Sequence, residues 1–130
     1  MVLLYEELTY QIRGCLFNVY NALGSGHKES VYQKALVLEL EKKKLKFSEQ
    51  KSLEIFYDGK KVGNYKPDFI IEDKVIIEIK ATEFTITNYE QQLKYYLKGT
   101  NYALGLLVNF GASPFLIRRV IWTAPQPTSV

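Results

Sequence analysis

Asp68, Glu78 and Lys80 are the residues of this chain best placed to do chemistry together. They lie in Pro67-Asp68-Phe69-Ile70-Ile71 and Val75-Ile76-Ile77-Glu78-Ile79-Lys80, which read as two short strands joined by a polar turn at Glu72-Asp73-Lys74. Side chains alternate between the faces of a strand. Val75, Ile77, Ile79 and Ala81 therefore point one way, and Ile76, Glu78 and Lys80 the other. Charges on so apolar a strand are costly to bury unless paired or holding a metal. If the hairpin closes at 72–74, Asp68 lies toward the same end as Glu78. Two carboxylates beside a lysine offer hard oxygen ligands, which suit Mg²⁺ or Mn²⁺. The plainer alternative is an edge strand with a solvated face, with Asp68 as a turn residue after Pro67.

The elements that must position these residues follow from periodicity. Residues 5–23 form an amphipathic helix with Leu8, Ile12, Cys15, Leu16, Val19 and Leu23 at spacings of three and four, ended by Gly24. A second helix runs from about Lys28 to Lys44, with Val31, Ala35 and Leu38 on one apolar strip and Tyr32, Leu36 and Leu40 on an adjacent one; Glu29 lies in line with the second strip, or is simply a first-turn acid favoured by the helix dipole. Strands at 53–57, 61–65, 68–72 and 74–80 make an antiparallel meander, its first turn marked by Asp58-Gly59. Thr87 and Glu90 resemble a capping box, followed by a helix to about Lys98 that Gly99 ends. Gln92 and Tyr96, four apart, share a face of it. Residues 103–110 read as a strand buried on both faces, and 115–122 as a final strand. The crossing from 74–80 through the helix to 103–110 is a βαβ unit. The class is α/β, with helices against a mixed sheet.

Composition sets the outer limits. The 130 residues make one domain of ordinary globular composition, 47% hydrophobic and 24% charged. No apolar run is long enough to span a membrane and no secretion signal is evident, so a cytoplasmic protein is expected. Cys15 is the only cysteine and His27 the only histidine, which leaves almost nothing for a zinc site or a Ser-His-Asp triad. Seventeen basic and 14 acidic residues give a net charge of +3, which permits nucleic-acid binding without demanding it. Lys42, Lys43, Lys44 and Lys46 read as the solvated end of a helix, with a phosphate contact as the alternative.

Four motifs in order resemble a known family. Pro67-Asp68 with Glu78-Ile79-Lys80 resembles the signature of the PD-(D/E)XK nuclease superfamily. Gly26-His27-Lys28-Glu29-Ser30-Val31-Tyr32 resembles the motif of the small GxxExxY proteins within it. Gln92-Leu93-Lys94-Tyr95-Tyr96 resembles the Gln-x-x-x-Tyr motif of RecB-like nucleases, and 105–111 their late strand. The resemblance spans about residues 5–122. It implies a restriction-endonuclease-like αβββαβ core over residues 1–122, with 123–130 as a flexible tail. It further implies a metal-dependent nuclease hydrolysing DNA phosphodiesters, with Mg²⁺ or Mn²⁺ as cofactor. Asp68 and Glu78 would be ligands, with the Ile79 carbonyl completing the site. Glu29 would be a ligand or hold a metal-bound water, and Lys80 would orient the attacking water. Gln92, Tyr96, Tyr32 and Gly26 would position nucleic acid or support the site. GxxExxY proteins often carry a histidine shortly before this glutamine; Asn88-Tyr89-Glu90 stands there instead, a departure from that pattern. Two alternatives stay open: a non-catalytic nucleic-acid-binding or protein-interaction module on the same fold, and a homodimeric, structure-specific junction endonuclease.

Overall fold

The computed structural model describes residues 4–84, 86–112 and 114–123. Most of the tail expected from 123 onward thus lies outside the described residues. Two helices come first, α1 (Glu6–Leu23) and α2 (Glu29–Lys42). Then follow β1 (Phe47–Glu49), β2 (Leu53–Tyr57), β3 (Lys60–Tyr65), β4 (Phe69–Ile71) and β5 (Val75–Lys80). α3 (Thr87–Thr100), β6 (Leu104–Asn109) and β7 (Leu116–Ile121) complete the order. A five-stranded mixed sheet has the order β1-β4-β5-β6-β7, and β2 and β3 form a separate two-stranded ribbon. β5 and β6 pair in parallel across α3, as the βαβ reading expects, and the other pairs are antiparallel.

Alternation sorts the sheet into two cores. Phe69, Ile71, Val75, Ile77, Ile79, Leu106 and Val108 pack with Ile12, Leu16, Tyr32 and Leu36 of α1 and α2. Ile70, Ile76 and Leu107 pack on the other side with Leu93 and Leu97 of α3. Every residue of β6 is buried, since helices cover both faces. Cys15 is a core residue of the first cluster. No helix among the described residues is long and apolar enough to cross a membrane.

Several local expectations need correction. The meander is not one sheet. Pro67 cannot donate to a ladder, and after it the chain leaves the ribbon for the main sheet. There β4 takes β1 as its outer neighbour, pairing Phe47 with Ile71 and Glu49 with Phe69. The ribbon instead lies against α3, where Ile55 comes within 3.4 Å of the place a Cβ would occupy on Gly99. The helix therefore runs through Gly99 and stops at Asn101, which takes the left-handed conformation (φ 63°). The capping box does not form: Ile86 is the cap position, and Glu90 pairs with Arg118 at 3.0 Å.

Candidate active site

The turn between β4 and β5 brings the first two acids together. Glu72 and Asp73 both have positive φ (54° and 52°), the twist that closes a tight hairpin. Ile70 then faces Ile76 and Phe69 faces Ile77. One step further out, Asp68 and Glu78 bind each other's strands. The Asp68 N–H donates to Glu78 Oε1 at 3.0 Å, and the Ile79 N–H donates to Asp68 Oδ2 at 2.7 Å. By alternation Glu78 and Lys80 share the face of Ile76, which is the face α3 covers.

That helix supplies the opposite wall. Glu78, Lys80, Gln92 and Tyr96 line one small cleft, together with Tyr65 and Tyr89. The Lys80 ammonium sits 4.3 Å from the centre of the Tyr89 ring, a cation–π contact that fixes its direction. Tyr65, at the end of β3, stacks face to face on Tyr96 with ring centres 3.9 Å apart. Its hydroxyl donates to Glu78 Oε1 at 2.9 Å. Burial, then the Glu78 charge, pushes the Tyr65 hydroxyl far above its ordinary range, so it stays a donor. Gln50 braces Asp68 from the other side, donating from its side-chain amide to Oδ1 at 3.1 Å and from its backbone to the Asp68 carbonyl at 3.3 Å.

Burial first, and then the Asp68 charge, pushes the Glu78 carboxyl up to about 7. The Asp68 N–H, the Tyr65 hydroxyl and the Lys80 charge pull the other way and only partly offset this. The folded protein thus holds this proton more tightly than the unfolded chain, whose ordinary value is 4.5. Stability from the group is complete below that value and is lost as pH rises through about 7. A half-buried carboxylate pair short of positive charge is a site whose chemistry fits a hard divalent cation.

Glu29 does not join this pair. It is the exposed first residue of α2, whose strip of Tyr32, Leu36 and Leu40 packs on the opposite face of the sheet from Glu78. Being in line with that strip does not bury it: burial on the strip begins at Tyr32, one turn after Glu29. Among the described residues no three His, Cys, Asp or Glu side chains gather to hold a metal. Tyr32 serves the loop before α2: its hydroxyl donates to the Gly24 carbonyl at 2.6 Å and accepts the His27 N–H at 3.2 Å. Gly26, at φ 103°, allows that loop its path. Ile79 is fully buried, with its N–H given to Asp68.

Tyr65, Tyr89, Gln50 and Asn109 are the contributors that sequence reasoning did not single out. Asn109 ends β6 opposite Lys80 and is buried. Its side chain accepts the Thr82 and Gly111 N–H groups and donates to the Thr82 carbonyl, pinning the chain just beyond Lys80. A polar residue closing an apolar strand was its one signal. Tyr65 carried none that separates it from a packing tyrosine.

A family model described as PD-(D/E)XK nuclease superfamily matches residues 6–120. Two solved structures share the fold at low identity. One is the crystal structure of SSO0001, with a TM-score of 0.56 and 19% identity over 74% of this chain. The other is an alkaline exonuclease (LHK-Exo) from Laribacter hongkongensis, with a TM-score of 0.50 and 11% identity over 93% of this chain. The matched parts are 50% and 72% of those chains, so this protein spans about half the length of the first. No curated protein matches the sequence.

Proposed function

The chain belongs to the PD-(D/E)XK nuclease superfamily, and from that premise we propose that it is a metal-dependent nuclease hydrolysing phosphodiester bonds of DNA. The observation that carries the proposal is the pair of hydrogen bonds tying Asp68 and Glu78 to each other's strands, with Glu78 and Lys80 on one cleft.

Asp68 and Glu78 would hold Mg²⁺ or Mn²⁺, with the Ile79 carbonyl as a third oxygen. When bound, the cation supplies positive charge against the phosphate and lowers the pKa of water. Lys80, directed by Tyr89, counters the negative charge that builds on the phosphate as the P–O bond breaks. Tyr65 holds one oxygen of Glu78 and leaves the carboxylate a fixed direction. Gln92 and Tyr96 line the small cleft beside Glu78 and Lys80 and would support the site there. Glu29, exposed at the start of α2, does not line this cleft.

The test is incubation of the pure protein with single-stranded DNA, duplex DNA and RNA, in Mg²⁺, Mn²⁺ or EDTA. DNA cleavage that requires metal and is lost in Lys80→Ala is the expected result. Metal binding with no cleavage of any substrate would favour a binding module on this fold.

Two further outcomes follow from Glu78. Divalent-cation affinity, measured by calorimetry, should fall by up to about tenfold per pH unit below about 7, because the cation must displace the Glu78 proton. Tyr65→Phe keeps the stack on Tyr96 but removes the hydroxyl. It should weaken metal binding roughly tenfold, the usual effect of losing a group that orients a ligand. An unchanged affinity would show that Asp68 alone sets the direction of Glu78.

A further inference from the structure

The ribbon of β2 and β3 has one face inside the fold and a tip outside it. Leu53, Ile55 and Tyr65 turn toward α3. Toward the tip, Phe56, Tyr57 and Val62 are 57%, 75% and 63% exposed. Lys60 and Lys61 beside them are exposed as well. A two-stranded ribbon gains little stability from apolar groups left in water.

The tip places each aromatic beside a cation. Phe56 pairs with Lys61 across the ladder, and Tyr57 pairs with Lys60. Cross-strand partners point to the same side, so each side of the tip carries one ring and one ammonium. The register slips between Ile55 and Phe56, the kind of bulge that re-aims side chains away from a packed face. Residues 51–66 hold Lys51, Lys60, Lys61 and Lys66 against Glu54 and Asp58. Four minus two is +2, most of the chain's net +3. Lys61 lies 3.7 Å from Glu54, but both are about half exposed, so the pair is weak. The ribbon ends at Tyr65, which touches Glu78.

We infer that this ribbon is the grip for a single-stranded stretch of nucleic acid, leading it toward Asp68 and Glu78. Bases stack on Phe56 and Tyr57 while Lys60 and Lys61 meet phosphates. Duplex fits less well, because its base faces are already stacked on one another and only edges are offered in the grooves. The inference rests on the nuclease reading above and names the form of substrate that reading leaves open.

The experiment is fluorescence anisotropy with a labelled single-stranded oligodeoxynucleotide in EDTA, followed by a cleavage assay in Mg²⁺. The wild-type protein is compared with Tyr57→Ala and with a Lys60→Glu, Lys61→Glu double variant. Both variants should melt with the wild type, since the residues changed are exposed. Tyr57→Ala should bind roughly tenfold more weakly, the order expected for one lost base stack. The double variant should bind more weakly still, with the slope of log affinity against log salt reduced by about 1 to 2. Folded variants that bind and cut like the wild type would overturn the grip and leave the nuclease reading intact. Wild-type binding that depends on the ribbon, without cleavage, would keep the grip and remove the nuclease. Absence of both binding and cleavage would overturn both. A dimer in light scattering that the variants dissolve would make the tip a self-contact and also overturn the inference.

Discussion

Glu78→Gln is expected to abolish metal-dependent cleavage and, in the same protein, to raise the melting temperature at pH 8. Both effects have one cause. The Tyr65 hydroxyl and the Asp68 N–H both donate to Oε1, which an amide oxygen replaces. The amide NH₂ then takes the place of the second oxygen, where it cannot ligate a cation. Loss of metal charge at the phosphate is worth several kcal/mol, so cleavage should fall about 10³-fold or more. The stabilising effect comes from removing a charge the fold resists. Glu78 is pushed from 4.5 to about 7, and each pH unit is about 1.4 kcal/mol. The gain at pH 8 is therefore up to about 3 kcal/mol, or several degrees for a domain of this size. It should shrink as pH falls through about 7 and vanish near 4.5, where both proteins carry a neutral group. Thermal melts of the metal-free proteins across pH measure this directly. A variant that melts lower than wild type at pH 8 would show that the carboxylate is well accommodated there, against the burial argument. Excess Mg²⁺ should narrow the gap by stabilising only the wild type.

Gly111→Ala is the other large effect expected, and it acts through the backbone. An added Cβ would lie 2.5 Å from the Thr82 nitrogen, 2.6 Å from its oxygen and 2.7 Å from its carbonyl carbon. None of these atoms can swing aside as a side chain does. Thr82 is held in place by the buried Asn109, whose Oδ1 accepts the Thr82 and Gly111 N–H groups and whose side-chain NH₂ donates to the Thr82 carbonyl. Opening the gap breaks that set and strands buried polar groups. A loss of about 3 kcal/mol or more should result. Thr82 lies two residues past Lys80, so cleavage should fall further than unfolding explains, assayed below the melting transition. A variant that melts with the wild type would show that the loop yields freely.

The grouping of Asp68, Glu78 and Lys80 was legible because a strand's alternation is simple. Glu78 and Lys80 stand out from Val75, Ile77 and Ile79 by parity alone, and the polar turn at 72–74 set Asp68 beside them. The helices were legible by their apolar periods, although on α2 only the strip of Tyr32, Leu36 and Leu40 is buried and Val31 and Leu38 of the adjacent strip are exposed. What stayed hidden depends on contacts distant in sequence. β1 is three residues with two polar ones, too short to show a period. Pro67 marks where the chain leaves the ribbon, but that the ribbon then lies against α3, with Ile55 beside Gly99, is encoded in no local pattern. Tyr65 matters through Tyr96 and Glu78, 31 and 13 residues away, and reads locally as one more strand tyrosine. Glu29 was drawn to the site by the resemblance, since its spacing fits a first-turn acid equally well, and in the fold it is the exposed first residue of α2.

The division of β5 between two cores also limits how its gene can change. Odd positions of this strand belong to the α1 and α2 side, and even positions to the α3 side with the acids. A single codon gained or lost within it would exchange the two sets at once, sending Glu78 and Lys80 into the apolar core and two isoleucines into the cleft. The strand can therefore drift by substitution, while its length is inherited unchanged. Extra residues are tolerable only where parity resets, in the turn at 72–74 or beyond Thr82.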